Sequence, residues 1–271
     1  MIDVLHLFPS LNSSLIEVLS GLDRKQWNSD TICRQWKVKD IAAHLLDIAL
    51  RRLSIGRDAY HTETPEIKSY QDLLNYLNDL NANWVSAYKR VSPEIILEQL
   101  KLAQVQVLEH LGGLDPDAKA IFPVSWAGED VSTNRFDIAR EYTEAWHHQQ
   151  QIRQAVGAKS IMSRELYNPF LQICMQALPY HYRSFESPDG TLIRVEVVGE
   201  AGGAWSIVRK GPKWEFSTEP GELTSQIYID QNIAWMLFSK GIEINQAKQY
   251  WQVLGNQDLG MHALAMPAFM V

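Results

Sequence analysis

With 271 residues, 46% of them hydrophobic and 21% charged, the chain has enough apolar area to offset the entropy of ordering it, which excludes disorder as its main state and leaves room for two domains. A formal net charge of −7, with no run of Lys or Arg, excludes electrostatic capture of nucleic acid. Cys33 and Cys174 are far apart and in no paired motif, which argues against a disulfide framework or a cysteine zinc site; the start lacks a basic segment before an apolar core, and no apolar run reaches about eighteen residues, so a cytoplasmic protein without a membrane partner is expected.

Leu11, Leu15, Val18 and Leu19 set a stripe of helical period that predicts a first helix ending at Gly21. After a connector bearing Trp27, Ser29 and Asp30, a second helix is predicted over 38–55. Ile41, Leu45, Ile48 and Arg52 share one of its faces, and Gly56 is its expected stop. Leu73, Leu77 and Leu80 predict a third helix over 69–90. Ser92-Pro93-Glu94 is a start signal, Ser as cap and Pro in the first helical position, for a fourth helix ending at Gly112-Gly113. The connection 114–131 is long for a compact domain, a length often tied to function, and its exposed-looking Trp126 could line a pocket but reads rather as a buried loop anchor. Ser132 or Thr133 then caps a last long helix that stops at Gly157. Long helices with short connectors predict an antiparallel four-helix bundle over residues 1–158.

The texture changes after Gly157. A helix is predicted over 164–178, ended by Pro179. Alternating runs over 191–198, 204–209, 214–217 and 224–229, separated by Gly- and Pro-containing turns, predict antiparallel strands joined by hairpins. Helical spacing returns over 232–239 and 245–254, and an apolar tail follows. Residues 159–271 are expected to form a small α+β domain.

Chemistry concentrates in two helical segments. Trp36-Lys-Val-Lys-Asp-Ile-Ala-Ala-His44 places a histidine on the face shared by Ile41 and Ile48. In Glu144-Ala-Trp-His-His148 the glutamate and second histidine are four residues apart, so they point the same way on a helix. A lone inward histidine is more often a satisfied core residue, and a Glu-His pair at that spacing is often a surface ion pair. His148, however, sits between Ala145 and Ile152 on the side that should be buried, whereas His147, among Thr143 and Gln151, reads as facing solvent or the bundle edge. A carboxylate buried beside imidazole is costly without a cation. If His44 meets the pair, His44, Glu144 and His148 form a three-ligand site with an open side, the pattern of a reactive metal. Such a donor set suits zinc, nickel, iron or manganese alike, with zinc the first choice by availability. Arg51 and Arg52 could bind a carboxylate but read rather as helix-surface charges, and Asp40 and Asp47 as solvated groups or as orienters of His44.

These two segments, with the trailing Gln-Ile-Arg153, resemble the DinB/YfiT-like metal-binding four-helix bundles, and within them the mycothiol-dependent maleylpyruvate isomerase group. Glutamate in place of the second of three histidines is the isomerase-type variant. The resemblance spans nearly the whole chain, because the α+β region is similar to that group's sterol-carrier-protein-like second domain. It implies one divalent metal on His44, Glu144 and His148, with no catalytic residue beyond these ligands, and a low-molecular-weight thiol as cosubstrate. The thiolate would add to a cis double bond and leave after rotation, or stay on the product in an S-transferase. The isomerases also use a basic residue of the second domain; Arg183, Arg194, Arg209 and Lys240 are the candidates here. Two rival readings stand beside this one: a non-enzymatic protein binding a metal and an apolar ligand, the latter lined by the tail 264–271, and a metal-free scaffold. Monomer and homodimer both fit.

Overall fold

The computed structural model describes residues 3–62 and 65–268. They fall into two compact units, a helical one of residues 3–121 and 133–160 and a mixed one of residues 122–132 and 161–268.

In the helical unit, α1 (Phe8–Ser20) follows a 3-10 turn and buries Phe8, Leu11, Leu15 and Leu19 along one stripe. The short α2 (Arg24–Trp27) begins on a reciprocal cap: Asp23 accepts the Gln26 N–H at 2.7 Å, and the Gln26 side chain accepts the Asp23 N–H at 3.0 Å. The next helix, α3 (Val38–Arg52), buries Val38, Ile41, Ala42, Leu45 and Leu46. It does not stop at Gly56 but widens into one π turn, Leu53–Arg57. Gly56 serves close approach instead, since a Cβ there would lie 2.7 Å from His110 Nε2. Then come α4 (Tyr70–Tyr88), capped by Ser69, α5 (Pro93–Gly112), capped by Ser92 with Pro93 in its first turn, and α6 (Asn134–Val156), capped by Thr133. Gly157, at φ 67°, ends α6 in the left-handed conformation that favours glycine.

Packing centres on α3, which touches α4, α5 and α6, while α1 touches α5 and α6. Leu15, Leu19, Trp27, Ile41, Leu46, Ile96, Leu100 and Ile152 form its apolar cluster. Each such side chain contributes about 1.5–3 kcal/mol by leaving water. Among the described residues no helix is long and apolar enough to cross a membrane.

The mixed unit holds a five-stranded sheet, β1 (Leu192–Val198), β2 (Gly203–Lys210), β3 (Lys213–Ser217), β4 (Ser225–Asp230) and β5 (Trp251–Gly255), in the order β3-β2-β1-β4-β5. The β1–β2 and β2–β3 hairpins are antiparallel as expected, but β1 and β4 are parallel, with Val195 opposite Ile227. The reason is topological: three up-down strands leave the chain at one end of the sheet, and the connection 218–224 carries it back before β4 starts. A second correction falls at 245–254. That stretch gives a 3-10 turn, Lys248–Tyr250, and then β5, antiparallel to β4. Its short apolar run is compatible with either period, and a free sheet edge decides for strand.

Helices α7 (Arg164–Cys174), α8 (Leu178–His181), α9 (Gln231–Phe238) and α10 (Gln257–Leu264) complete the unit. Pro179 does not end a helix; it lies in the first turn of α8, where its missing N–H costs nothing. Ile193, Val195, Val197, Ile207, Ile227 and Ile229 form one buried sheet face, and α7, α9 and α10 pack on the sheet. Trp126 is buried, 6% exposed, as expected of a loop anchor. Of the apolar tail, Leu264, Met266 and Ala268 are buried side chains, and residues 269–271 lie outside the described residues.

Candidate metal centre

What aligns α3 with α6 is a buried ion cluster. Arg52 donates to both oxygens of Asp137, at 2.7 and 3.0 Å, and to Glu141 at 2.7 Å. Arg140 reaches the same two carboxylates at 2.7 Å each. Burial alone would raise the Asp137 carboxyl, but Arg140 and Arg52 hold it below the usual carboxylate range. From Arg52 back to His44 is about 12 Å of α3; from the Asp137–Glu141 pair forward to the Glu144–His148 pair is about 10 Å of α6. Antiparallel helices clamped at the first pair therefore bring His44 level with the second.

The structure does bring these three side chains together. His44, Glu144 and His148 each offer a ligand atom, and these atoms all lie within 4.8 Å of one another. His148 Nε2 stands 3.3 Å from Glu144 Oε2. That matches the separation of about 3.3 Å between donors on one tetrahedral ion with bonds near 2.05 Å. The His44 and His148 rings meet edge to face at 4.8 Å, and Trp36 packs on His44 at 4.6 Å. Both histidines are buried, and Glu144 keeps 23% of its side chain exposed.

Protonation favours ligation. For Glu144, burial pushes the carboxyl up, and the hydrogen bond and charge of His148, with the charges of His147 and His44, outweigh it and bring the group to about 2. Burial, reinforced by His148, takes His44 well below the ordinary imidazole range. Glu144 is thus an ionised carboxylate and His44 a neutral imidazole, the forms that bind a cation. Among the described residues, buried His44 Nδ1 meets no hydrogen-bond partner. A buried imidazole nitrogen without a partner is costly, and the donor set of two imidazoles and a carboxylate fits a divalent ion.

Several surrounding residues differ from expectation. His147 and Gln151 are buried, each 5% exposed, not solvent-facing. Gln151 bridges the histidines: its Oε1 lies 2.9 Å from His148 Nδ1 and its Nε2 3.0 Å from His147 Nε2. The signal was present in the sequence, since Gln151 is three residues beyond His148 and four beyond His147. Arg52 is no surface charge but the buried clamp. Arg51 pairs with Asp47 at 3.1 Å and donates to Asn81. Asp40 accepts the Lys37 N–H at the start of α3, so neither that aspartate nor Asp47 hydrogen-bonds His44 Nδ1. Arg183, Arg194, Arg209 and Lys240 all belong to the mixed unit. There Arg183 lies over the Tyr180 ring, Arg194 faces Glu196 at 3.6 Å, and Arg209 stacks towards Trp214.

Residues 9–153, which include His44, Glu144 and His148, match the family model described as mycothiol maleylpyruvate isomerase N-terminal domain. No curated protein matches the chain. Two solved structures are similar to it. One is a mutant of the mycothiol-dependent maleylpyruvate isomerase, with TM-score 0.56 and 11% identity over 92% of this chain and 90% of that one. The other is a crystal structure of the mycothiol-dependent maleylpyruvate isomerase, with TM-score 0.52 and 13% identity over 86% of each chain. At such identities the likeness is one of fold.

Proposed function

This chain belongs to the mycothiol maleylpyruvate isomerase N-terminal domain family, and from that premise we propose that it is a thiol-dependent isomerase or S-transferase built on a metal centre of His44, Glu144 and His148. The helical unit is then a DinB-like four-helix bundle and the mixed unit a sterol-carrier-protein-like partner domain. The carrying observation is the convergence of the three donor atoms from helices about a hundred residues apart, in protonation states suited to a cation.

His44 and His148 supply imidazole nitrogens and Glu144 the single negative charge. A divalent ion held by this set retains excess positive charge and Lewis acidity, which keeps a thiol as thiolate at neutral pH. Trp36 covers the two imidazoles with an apolar ring, limiting water on that side. The Arg52 cluster keeps α3 and α6 in register, so that His44 and the Glu144–His148 pair stay level. In the isomerase form of the reaction, the thiolate sulfur bonds to one alkene carbon and the double bond becomes single. Rotation follows; the carbon–sulfur bond breaks, and the double bond returns trans with the thiol regenerated. No electrons are gained or lost overall. In the S-transferase form, the carbon–sulfur bond stays and a proton completes the product.

Zinc is the first expected metal, and mycothiol, bacillithiol and glutathione are the thiols to compare. The test is elemental mass spectrometry of the wild type beside His44→Ala and Glu144→Ala, followed by turnover of cis-alkene acids with each thiol. Near-stoichiometric metal in the wild type, lost in both variants, with thiol-dependent turnover, supports the reading. Metal at background in all three would sink it.

A further inference from the structure

His147 and His148 are chemically identical neighbours, both buried, with rings 5.0 Å apart. Only His148 turns a nitrogen to Glu144. The difference lies in Gln151. A side-chain amide has fixed polarity: its oxygen only accepts and its NH2 only donates. Oε1 of Gln151, 2.9 Å from His148 Nδ1, therefore calls for a proton on that nitrogen. At the other end the amide NH2, 3.0 Å from His147 Nε2, calls for a lone pair there and so places the His147 proton on Nδ1. His148 is left with its Nε2 aimed at Glu144 Oε2, the nitrogen whose lone pair a cation would take, any proton there being released to solvent. His147 has its Nε2 engaged by the amide.

We propose that Gln151 is the positioning residue of the centre, holding the proton of His148 on Nδ1 and that of His147 on Nδ1, so that His148 Nε2 rather than His147 Nε2 faces the ligand position. This builds on the reading of His44, Glu144 and His148 as metal ligands, although the proton placement belongs to the protein itself. Imidazole ligands are commonly oriented through the nitrogen that does not bind, and loss of that partner weakens metal affinity by about 10–100-fold. Glutamine suits both duties at once. A carboxylate in its place would accept from both rings and force the His147 proton to Nε2, and a thioether would constrain neither ring.

The test is nitrogen NMR of the histidine rings in the full-length protein, metal-free at about pH 9, above the ordinary imidazole range, together with zinc affinity by competition with a chelator. Wild type is expected to show a protonated Nδ1 on both His147 and His148 and an unprotonated Nε2 on His147. Gln151→Met should release both rings to mixed tautomers and weaken zinc binding about 10–100-fold. Gln151→Glu, which guards against a folding defect in the first variant, should keep the His148 Nδ1 proton but move that of His147 to Nε2. A wild-type His148 without a proton on Nδ1, or a Gln151→Met protein with unchanged tautomers and zinc affinity, would overturn the proposal. Fixed tautomers in a wild type that binds no zinc would demonstrate the proton placement while removing the metal reading beneath it.

Discussion

Helices α3 and α6 meet in two polar clusters two turns apart, and the clusters differ in kind. At Arg52, Asp137, Arg140 and Glu141, two positive and two negative groups close on one another at 2.7–3.0 Å. At His44, Glu144 and His148, one carboxylate faces imidazoles, and His44 Nδ1 has no partner. Both lie on the same pair of helices and are largely buried, so burial and polarity do not distinguish a lock from a site. Satisfaction does: the first cluster is complete within the protein, and the second has donor capacity left for something else.

The sharpest way to break this comparison is to remove the clamp. Arg52→Ala leaves Asp137 and Glu141 buried with only Arg140 between them. Unpairing a buried charge is expected to cost about 3 kcal/mol of stability, read as a lower urea midpoint with an unchanged slope. A loss below about 1 kcal/mol would show that the cluster does not set the register. The open cluster should behave oppositely. His44→Phe removes an unpaired buried nitrogen while keeping a ring of similar shape, so the metal-free protein should change by less than about 1 kcal/mol in either direction. Zinc at about a thousand times its dissociation constant should add about 4 kcal/mol to the wild type by linkage and almost nothing to His44→Phe. Equal zinc stabilisation of the two proteins would remove His44 from the centre.

Acid sharpens the contrast with the mixed unit, where His181 stacks on His262 at 4.1 Å and each ring nitrogen bonds the other's backbone carbonyl. Burial, with the charges of His262, Arg183 and Lys240 and against a backbone hydrogen bond, lowers His181 to about 4. The unfolded chain binds a proton there near pH 6.5, earlier than the folded one, so stability falls as pH drops from about 6.5 to 4 and then levels. With a discount for its partial exposure the loss is about 1 kcal/mol. Asp137 is shifted the other way for an acid. Its contribution is complete above the ordinary carboxylate pKa of about 3.9 and is lost only below that, through its depressed value. Hydrogen exchange resolved along the chain checks both windows: His181→Gln should flatten the first in the mixed unit and leave the second in α3 and α6 unchanged.

How much of this could be read beforehand follows the range of each interaction. Helix α6 was legible from Thr133 to Gly157 because cap, period and stop are local. His44, Glu144 and His148 were legible as residues of the right type on the right faces, and their meeting depended on a register no single helix contains. Arg52 was misread for the same reason, since its partners lie 85 and 89 residues away and an arginine without visible partners reads as surface. The parallel pairing of β1 with β4 is likewise a long-range outcome of the return connection. His147 and Gln151 were placed in solvent by composition, although their spacing from His148 was in plain view.

Gln149 offers the smallest and most discriminating test of satisfaction as the criterion. It lies on α6 beside His148 and is fully buried, and neither its Oε1 nor its Nε2 has a hydrogen-bond partner among the described residues. Unlike Gln151, it serves neither histidine, and unlike the Arg52 cluster, it is not closed. A buried amide in that state costs about 1–3 kcal/mol relative to an apolar side chain of the same shape. Methionine is the nearest unbranched match and packs adaptably. Gln149→Met is therefore expected to stabilise the protein by about 1 kcal/mol in urea denaturation while leaving zinc affinity within twofold of wild type. Destabilisation with intact zinc binding would mean that the amide holds a partner worth keeping, and a fall in zinc affinity would place Gln149, too, in the support of the centre.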